Sequence, residues 1–171
     1  MTIVGLDLSL TRTGYCVLDS RTATLGSIPT GKMAGSERLL YLRQEISKLA
    51  LTPVPDAVVI EGYSFGSKGR LAQLGELGGV VRVALYVKDL EEATGVMAPQ
   101  TLKKFMLSGS GQKEEVMREA FKRWGIEGNN DEIDAFGLAL AGWLGYKESH
   151  PVYGVPTQKM KEAVAAISWG I

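Results

Sequence analysis

An aspartate inside the apolar run Ile3-Val4-Gly5-Leu6-Asp7-Leu8 constrains this chain more than any other residue. Such a run reads as a strand buried on both faces, and therefore central in its sheet. A carboxylate there costs several kcal/mol unless something compensates it, and a cation is the usual compensator. The same conflict recurs twice. Glu61 ends Ala57-Val58-Val59-Ile60-Glu61, and Asp131 and Asp134 open the apolar stretch that runs through Ala135-Phe136-Gly137-Leu138-Ala139. Acids in a first strand, at the end of a later strand and at the start of a helix can converge on one edge of a sheet.

The order of elements supports that convergence. Three β-prone runs, at 2–8, 13–19 and about 22–28, are separated by turn residues and predict an antiparallel meander. Ser36 can cap a helix through about residue 50, ended by Pro53 and Pro55. A fourth strand is expected at 57–61, a long helix at about 70–93, a strand at 95–98, and helices after Pro99, at 112–124 and at 130–146. These elements describe an α/β domain around a central mixed five-stranded sheet flanked by helices. Glycines 75, 78 and 79 lower helix propensity in the long helix, so its surface is expected to be crowded by a partner helix or a second subunit. Residues 1–150 are read as the domain and 151–171 as a tail of open role.

A chain of 171 residues with 45% hydrophobic content fits one core. Nineteen basic and nineteen acidic residues leave no global positive field, so any nucleic-acid face has to be local. The lone Cys16 lies in an apolar run and reads as a small buried hydrophobe in a reducing compartment. No signal peptide or membrane-length apolar run is evident, so the expectation is a soluble, cytoplasmic protein without a membrane partner. Trp124, Trp143 and Trp169 are expected to pack in the core or at an interface, and His150 stands outside the acid set.

The acids suggest a chemistry. Carboxylates alone can hold a pair of Mg²⁺ or Mn²⁺ ions about 3.5 to 4 Å apart, an arrangement suited to phosphodiester hydrolysis. Asp131 and Asp134, three residues apart, share a helical face. Any one of these acids alone could equally be a cap or a surface ion-pair partner.

With the acids taken together with Thr13-Gly14-Tyr15, Val59-Ile60-Glu61, Leu74-Gly75-Glu76-Leu77-Gly78-Gly79-Val80 and Asp131-Glu132-Ile133-Asp134-Ala135, the chain resembles the RuvC-type Holliday junction resolvases of the RNase H-like superfamily, as a compact bacteriophage or bacterial member. The resemblance covers about residues 2–146. It implies an RNase H-like fold and a crossover junction endodeoxyribonuclease that nicks four-way DNA junctions symmetrically. It further implies two Mg²⁺ (or Mn²⁺) ions per site, held by Asp7, Glu61, Asp131 and Asp134 as catalytic and metal-binding residues, and no nucleotide cofactor. A homodimer is also implied, with the 70–93 helix, including Val80, Val81, Val83, Leu85 and Val87, supplying much of the interface.

Basic and aromatic residues extend the resemblance. Lys103, Lys104 and Lys113 look like the family's phosphate-contacting lysines, or are ordinary solvated charges. After Glu61, Tyr63 and Phe65 are both candidates to stack on an unpaired base, with Lys68 and Arg70 on phosphates, or else the aromatics are buried under their loop. Arg12 and Thr13 could face the substrate or close a hairpin. Rival readings are a related flap or branch nuclease, a non-catalytic junction-binding scaffold, and an actin-like ATPase or sugar kinase, whose phosphate-binding hairpin Gly5-Leu6-Asp7-Leu8-Ser9-Leu10-Thr11-Arg12-Thr13-Gly14 resembles. Length and the lack of a second glycine-rich phosphate loop oppose the last.

Overall fold

The computed structural model describes residues 1–62, 71–107 and 113–171, with Lys113 placed by its backbone alone. The first run forms β1 (Ile3–Asp7), which pairs antiparallel with β2 (Arg12–Leu18), itself antiparallel to β3 (Ala23–Pro29). Helix α1 (Gly35–Leu49) leads to β4 (Ala57–Glu61), which lies parallel to β1. Helix α2 (Leu71–Tyr86) leads to β5 (Thr94–Met97), parallel to β4. Then come α3 (Pro99–Met106), α4 (Lys113–Trp124), α5 (Asn130–Tyr146) and α6 (Gln158–Ala165).

The five expected strands are present, and the tail adds a sixth. Strand β6 (Ser168–Trp169) pairs antiparallel with β5, giving the order β3-β2-β1-β4-β5-β6. Two residues are too few to leave a readable alternation, which is why the sheet looked five-stranded from sequence. β1 is central and buried along its whole length.

Each sheet face has its own core, set by strand alternation. Ile3, Cys16, Ala57 and Val59 join Phe105, Ile133, Phe136 and Leu140 under α5. Val4, Leu6, Val58 and Ile60 join Leu42, Ile46, Leu77, Val81 and Leu85 under α1 and α2. Burial raises the Cys16 thiol pKa far above its ordinary range, as suits a packing residue rather than a reactive one.

Two helix boundaries differ from expectation. Ser36 does not cap α1; the N-cap is Ala34, two residues earlier and without a side-chain hydrogen bond, and Gly35 at φ 51° opens the helix. Helix α2 stops at Tyr86, where Asp89 adopts φ 55° and the amides of Lys88 and Leu90 both donate to the Leu85 carbonyl. Within the chain itself the glycine cluster is crowded only in part. Gly78 is buried, but among the described residues a Cβ at Gly75 or Gly79 would meet nothing within 4 Å. Val81 and Leu85 point into the chain's own core rather than outward, whereas Val83 is 54% and Val87 65% exposed.

The tail is tied down. Thr157 caps α6 by accepting the Met160 amide at 3.3 Å, and Met160 and Ala163 bury against the α5-side core. Buried His150 bridges the tail to the β2–β3 turn through the Asp19 carbonyl at 2.8 Å. Trp143 is buried beside His150, Trp124 packs edge-on against Phe136, and Trp169 packs edge-on against Tyr146. Among the described residues, no helix is long and apolar enough to cross a membrane.

Candidate active site

A single transverse row of the sheet organises the acids. Ser27 on β3 opposes Gly14 on β2, and Gly14 opposes Asp7 on β1. On the other side of β1, Leu6 opposes Ile60, so Glu61 continues the parallel register beside Asp7 and pairs in turn with Met97 of β5. Neighbouring strands lie about 4.8 Å apart, which sets the spacing of the Asp7 and Glu61 backbones. Both acids alternate with residues of the α1/α2 core, Leu6 and Ile60, so both face the α5 side. They stand at the carboxyl ends of adjacent parallel strands.

Helix α5 reaches that row because small residues let it sink onto the sheet. A Cβ on Gly14 would run into the Asp131 carbonyl, and a Cβ on Gly5 would run into the Ala135 carbonyl. Further along, Gly142 lies against Ile3 and Val59. The helix thus crosses β2, β1 and β4 in turn, with its first turn directly over the strand pair that carries Asp7. That turn holds Asp131, and Asp134 follows on the next. Its start is fixed by a capping box: the Asn129 side chain accepts the Glu132 amide at 3.1 Å, and Glu132 Oε2 accepts the Asn129 amide at 3.0 Å. Glu132, an acid between two site acids, is thereby used as a cap.

All four acids therefore converge at the level of the backbone. Asp7 is 8% exposed, while Glu61, Asp131 and Asp134 are half-buried. Among the described residues, no group of three or more His, Cys, Asp or Glu residues that could hold a metal ion occurs.

The other candidates are placed less completely. Lys103 and Lys104 lie exposed on α3. Lys104 borders a groove of about 470 Å³ that Arg123 of α4 and Lys159 of α6 also line, two cations that no local motif marked. Arg123 is partly engaged, donating to the Met106 carbonyl at 3.3 Å and stacking on Trp124. Tyr63, Phe65, Lys68 and Arg70, and the side chain of Lys113, lie outside the described residues. Thr13 closes the β1–β2 turn, its buried hydroxyl donating to the Ser9 carbonyl at 3.0 Å and accepting the Ser9 amide at 3.2 Å. Arg12 beside it is exposed.

A mixed sheet with three antiparallel strands followed by two parallel ones, and acids on the central strand, its parallel neighbour and the helix above them, defines the RNase H-like fold. Solved structures agree. The chain superposes on Thermus thermophilus RuvC in complex with a Holliday junction substrate with a TM-score of 0.68 at 20% identity, over 92% of this chain and 99% of that one. The fowlpox virus Holliday junction resolvase, bound to its junction DNA, gives a TM-score of 0.50 at 13% identity, over 82% of this chain and 95% of that one.

Within that class the particular protein this chain resembles, in sequence as well as fold, is RuvC. It is 25% identical over 150 residues to the crossover junction endodeoxyribonuclease RuvC of Caldicellulosiruptor saccharolyticus, spanning 82% of this chain and 90% of that protein. It is 27% identical over 156 residues to that of Parasynechococcus marenigrum, spanning 84% and 99%. No family model matches the chain.

Proposed function

We propose that the protein is a crossover junction endodeoxyribonuclease that resolves four-way DNA junctions by paired, symmetric nicks. The observation that carries this reading is the placement of Asp7 and Glu61 side by side beneath the start of α5, whose first turn bears Asp131 and whose second bears Asp134. The similarity to RuvC along nearly the whole of its relatives supplies the substrate class.

In this reading the four acids hold two Mg²⁺ or Mn²⁺ ions. The donor set fits such ions, because it consists of hard carboxylate oxygens, and because an Asp7 that is only 8% exposed gains most from a cation that offsets its desolvation. Bound there, the ions would supply electrophilic stabilisation of the phosphoryl charge and a lowered pKa for the attacking water. Asp7, flanked by Glu61 on one side and the α5 acids on the other, would contribute to holding both ions. Lys103 and Lys104 meet the DNA backbone, with Lys113, Lys68 and Arg70 as further phosphate contacts and Tyr63 or Phe65 stacking at the junction centre. In-line displacement by water leaves a 5′ phosphate and a 3′ hydroxyl.

A two-fold substrate favours a two-fold dimer. The exposed stripe Gly75, Gly79, Val83 and Tyr86 on α2 follows helical spacing and lets a second backbone approach closely, which makes it the surface we assign to the homodimer contact. The reading places the protein in the cytoplasm, that of the host if a phage carries it.

The test is cleavage of an end-labelled four-way junction beside a matched duplex, with Mg²⁺, Mn²⁺ or a chelator. Metal-dependent, symmetric nicks confined to the junction are expected. Cutting of flaps in preference to junctions would reassign the substrate, binding without cutting in any metal would indicate a scaffold, and ATP hydrolysis without DNA would overturn the nuclease reading.

A further inference from the structure

Asp131 carries its carboxylate on the first turn of a helix, where the backbone has few hydrogen bonds of its own and frays most readily. Its distance from Asp7 therefore depends on whatever fixes the start of α5. Two contacts do so. From below, Gly14 lies against the Asp131 backbone. From the side, the Asn129 amide group is divided between two tasks. Its oxygen must be the atom that accepts the Glu132 amide at 3.1 Å, which leaves its Nδ2 as the group facing Ser27 Oγ at 3.4 Å. Ser27 belongs to the same transverse row as Gly14 and Asp7. The sheet row and the helix start are thus joined at both ends: Asn129 on Ser27, Asp131 on Gly14, with Asp7 one strand further.

We propose that Asn129 and Ser27 are positioning residues that hold the first turn of α5 in register with the Asp7 row and so set how closely Asp131 and Asp134 approach Asp7 for metal binding. This rests on the functional reading above. Neither residue is a metal ligand. Ser27 sits on β3, two strands from Asp7, and acts only through Asn129 and the helix. Glu132 completes the device by closing the box on the Asn129 amide. The 3.4 Å contact is long, so Ser27 makes the smaller contribution and Asn129 the larger.

The experiment compares Asn129→Ala, Ser27→Ala and the hydroxyl-retaining Ser27→Thr with wild type. It reads Tb³⁺ affinity by sensitised luminescence, the Mg²⁺ concentration for half-maximal junction cleavage, junction affinity in chelator, and melting temperature. Asn129→Ala is expected to weaken Tb³⁺ binding and raise the Mg²⁺ requirement by about 10-fold, the size typical of residues that orient metal ligands. Ser27→Ala is expected to do the same by about 3-fold, as for one weak hydrogen bond. Ser27→Thr should restore both, and junction affinity without metal should not move. Wild type that binds Tb³⁺ and cuts junctions, beside variants that melt lower yet keep wild-type metal affinity and Mg²⁺ dependence, overturns the positioning role while leaving the nuclease reading intact. Wild type that neither binds Tb³⁺ nor cuts overturns both.

Discussion

Glycine does opposite work on the two sides of this molecule. Under α5, Gly5 and Gly14 are pressed against helix backbone so closely that a single added carbon would collide with a carbonyl. On α2, Gly75 and Gly79 face open space, on a helix surface that also exposes Val83, Tyr86 and Val87. In the first case a residue without a side chain brings the helix acids down to the strand acids. In the second it leaves a surface with nothing from the described residues against it. The same sequence signal, glycine among apolar residues, marks a completed contact in one place and an uncompleted one in the other.

The largest test of this contrast is chemical. If the closely packed side exists to assemble the acids, Asp7→Asn removes the carboxylate proposed to serve both metal ions while leaving the seam intact. Junction cleavage should fall by on the order of 10³-fold or more, the rate equivalent of several kcal/mol of lost charge stabilisation. Junction binding measured in chelator should persist. Undiminished cleavage by this variant would take Asp7 out of the mechanism.

A step smaller is the cost of disturbing the seam. Gly5→Ala should destabilise the fold by about 3 kcal/mol, the upper end for overpacking, because the obstacle is the Ala135 carbonyl rather than a side chain that can swing away. Gly75→Ala should instead stabilise it by about 0.5 to 1 kcal/mol, since the added methyl meets nothing and helix propensity improves. Urea melts of both variants, at a protein concentration low enough to keep the chain monomeric, give the comparison directly. Equal effects of the two changes would erase the distinction between the two glycine sets.

What the sequence disclosed follows the same division. Asp7, Glu61, Asp131 and Asp134 were legible because an acid in an apolar run is a local conflict, visible without knowing its neighbours. The strand order was legible because β1, β2, β3, β4 and β5 each carry enough residues to alternate or to run apolar. Ser27 gave no such sign, since its contact with Asn129 spans 102 positions of sequence. The early end of α2 depends on Asp89 taking a left-handed conformation, which apolar periodicity does not register. Periodicity also could not say which valines of α2 look inward. Val81 and Val83 differ by two residues and by opposite burial.

The open side is tested by charge. Val83→Asp places a carboxylate in the exposed stripe of α2, and its twin would face it across a two-fold axis. The dimer dissociation constant should rise by roughly 30-fold, about 2 kcal/mol, as for loss of a central interface residue. Monomer stability should barely change, because Val83 is 54% exposed. Sedimentation velocity over a concentration series reads the shift. A wild-type chain that is monomeric throughout would show that α2 is not completed by a second copy.

The smallest effect concerns a contact closed within the chain but far apart in sequence. His150 is 1% exposed, and its Nδ1 accepts the amides of Val152 at 3.1 Å and Tyr153 at 3.3 Å. The ring proton must then sit on Nε2, donating to the Asp19 carbonyl at 2.8 Å. Protonating Nδ1 would set a new donor against two existing ones. Burial holds the His150 pKa below its ordinary 6.5, partly opposed by the Asp19 carbonyl and the Asp19 charge. Between the folded pKa and about 6.5 the unfolded chain binds the extra proton, so folding stability rises with pH across that window. The contribution is full above 6.5, declines as pH falls through the folded pKa, and is constant below it. Asp19, whose pKa is lowered by the Arg21 and Thr22 amides, loses its own contribution only in the more acidic range below 3.8. Melting temperatures of wild type and His150→Gln should therefore converge as pH falls from about 7.5 to 5. A gap that stays constant over that range would mean that His150 takes up its proton equally in the folded and unfolded chain, and that the tail is held by packing on Trp143 and Tyr153 rather than by hydrogen bonds that need the neutral ring.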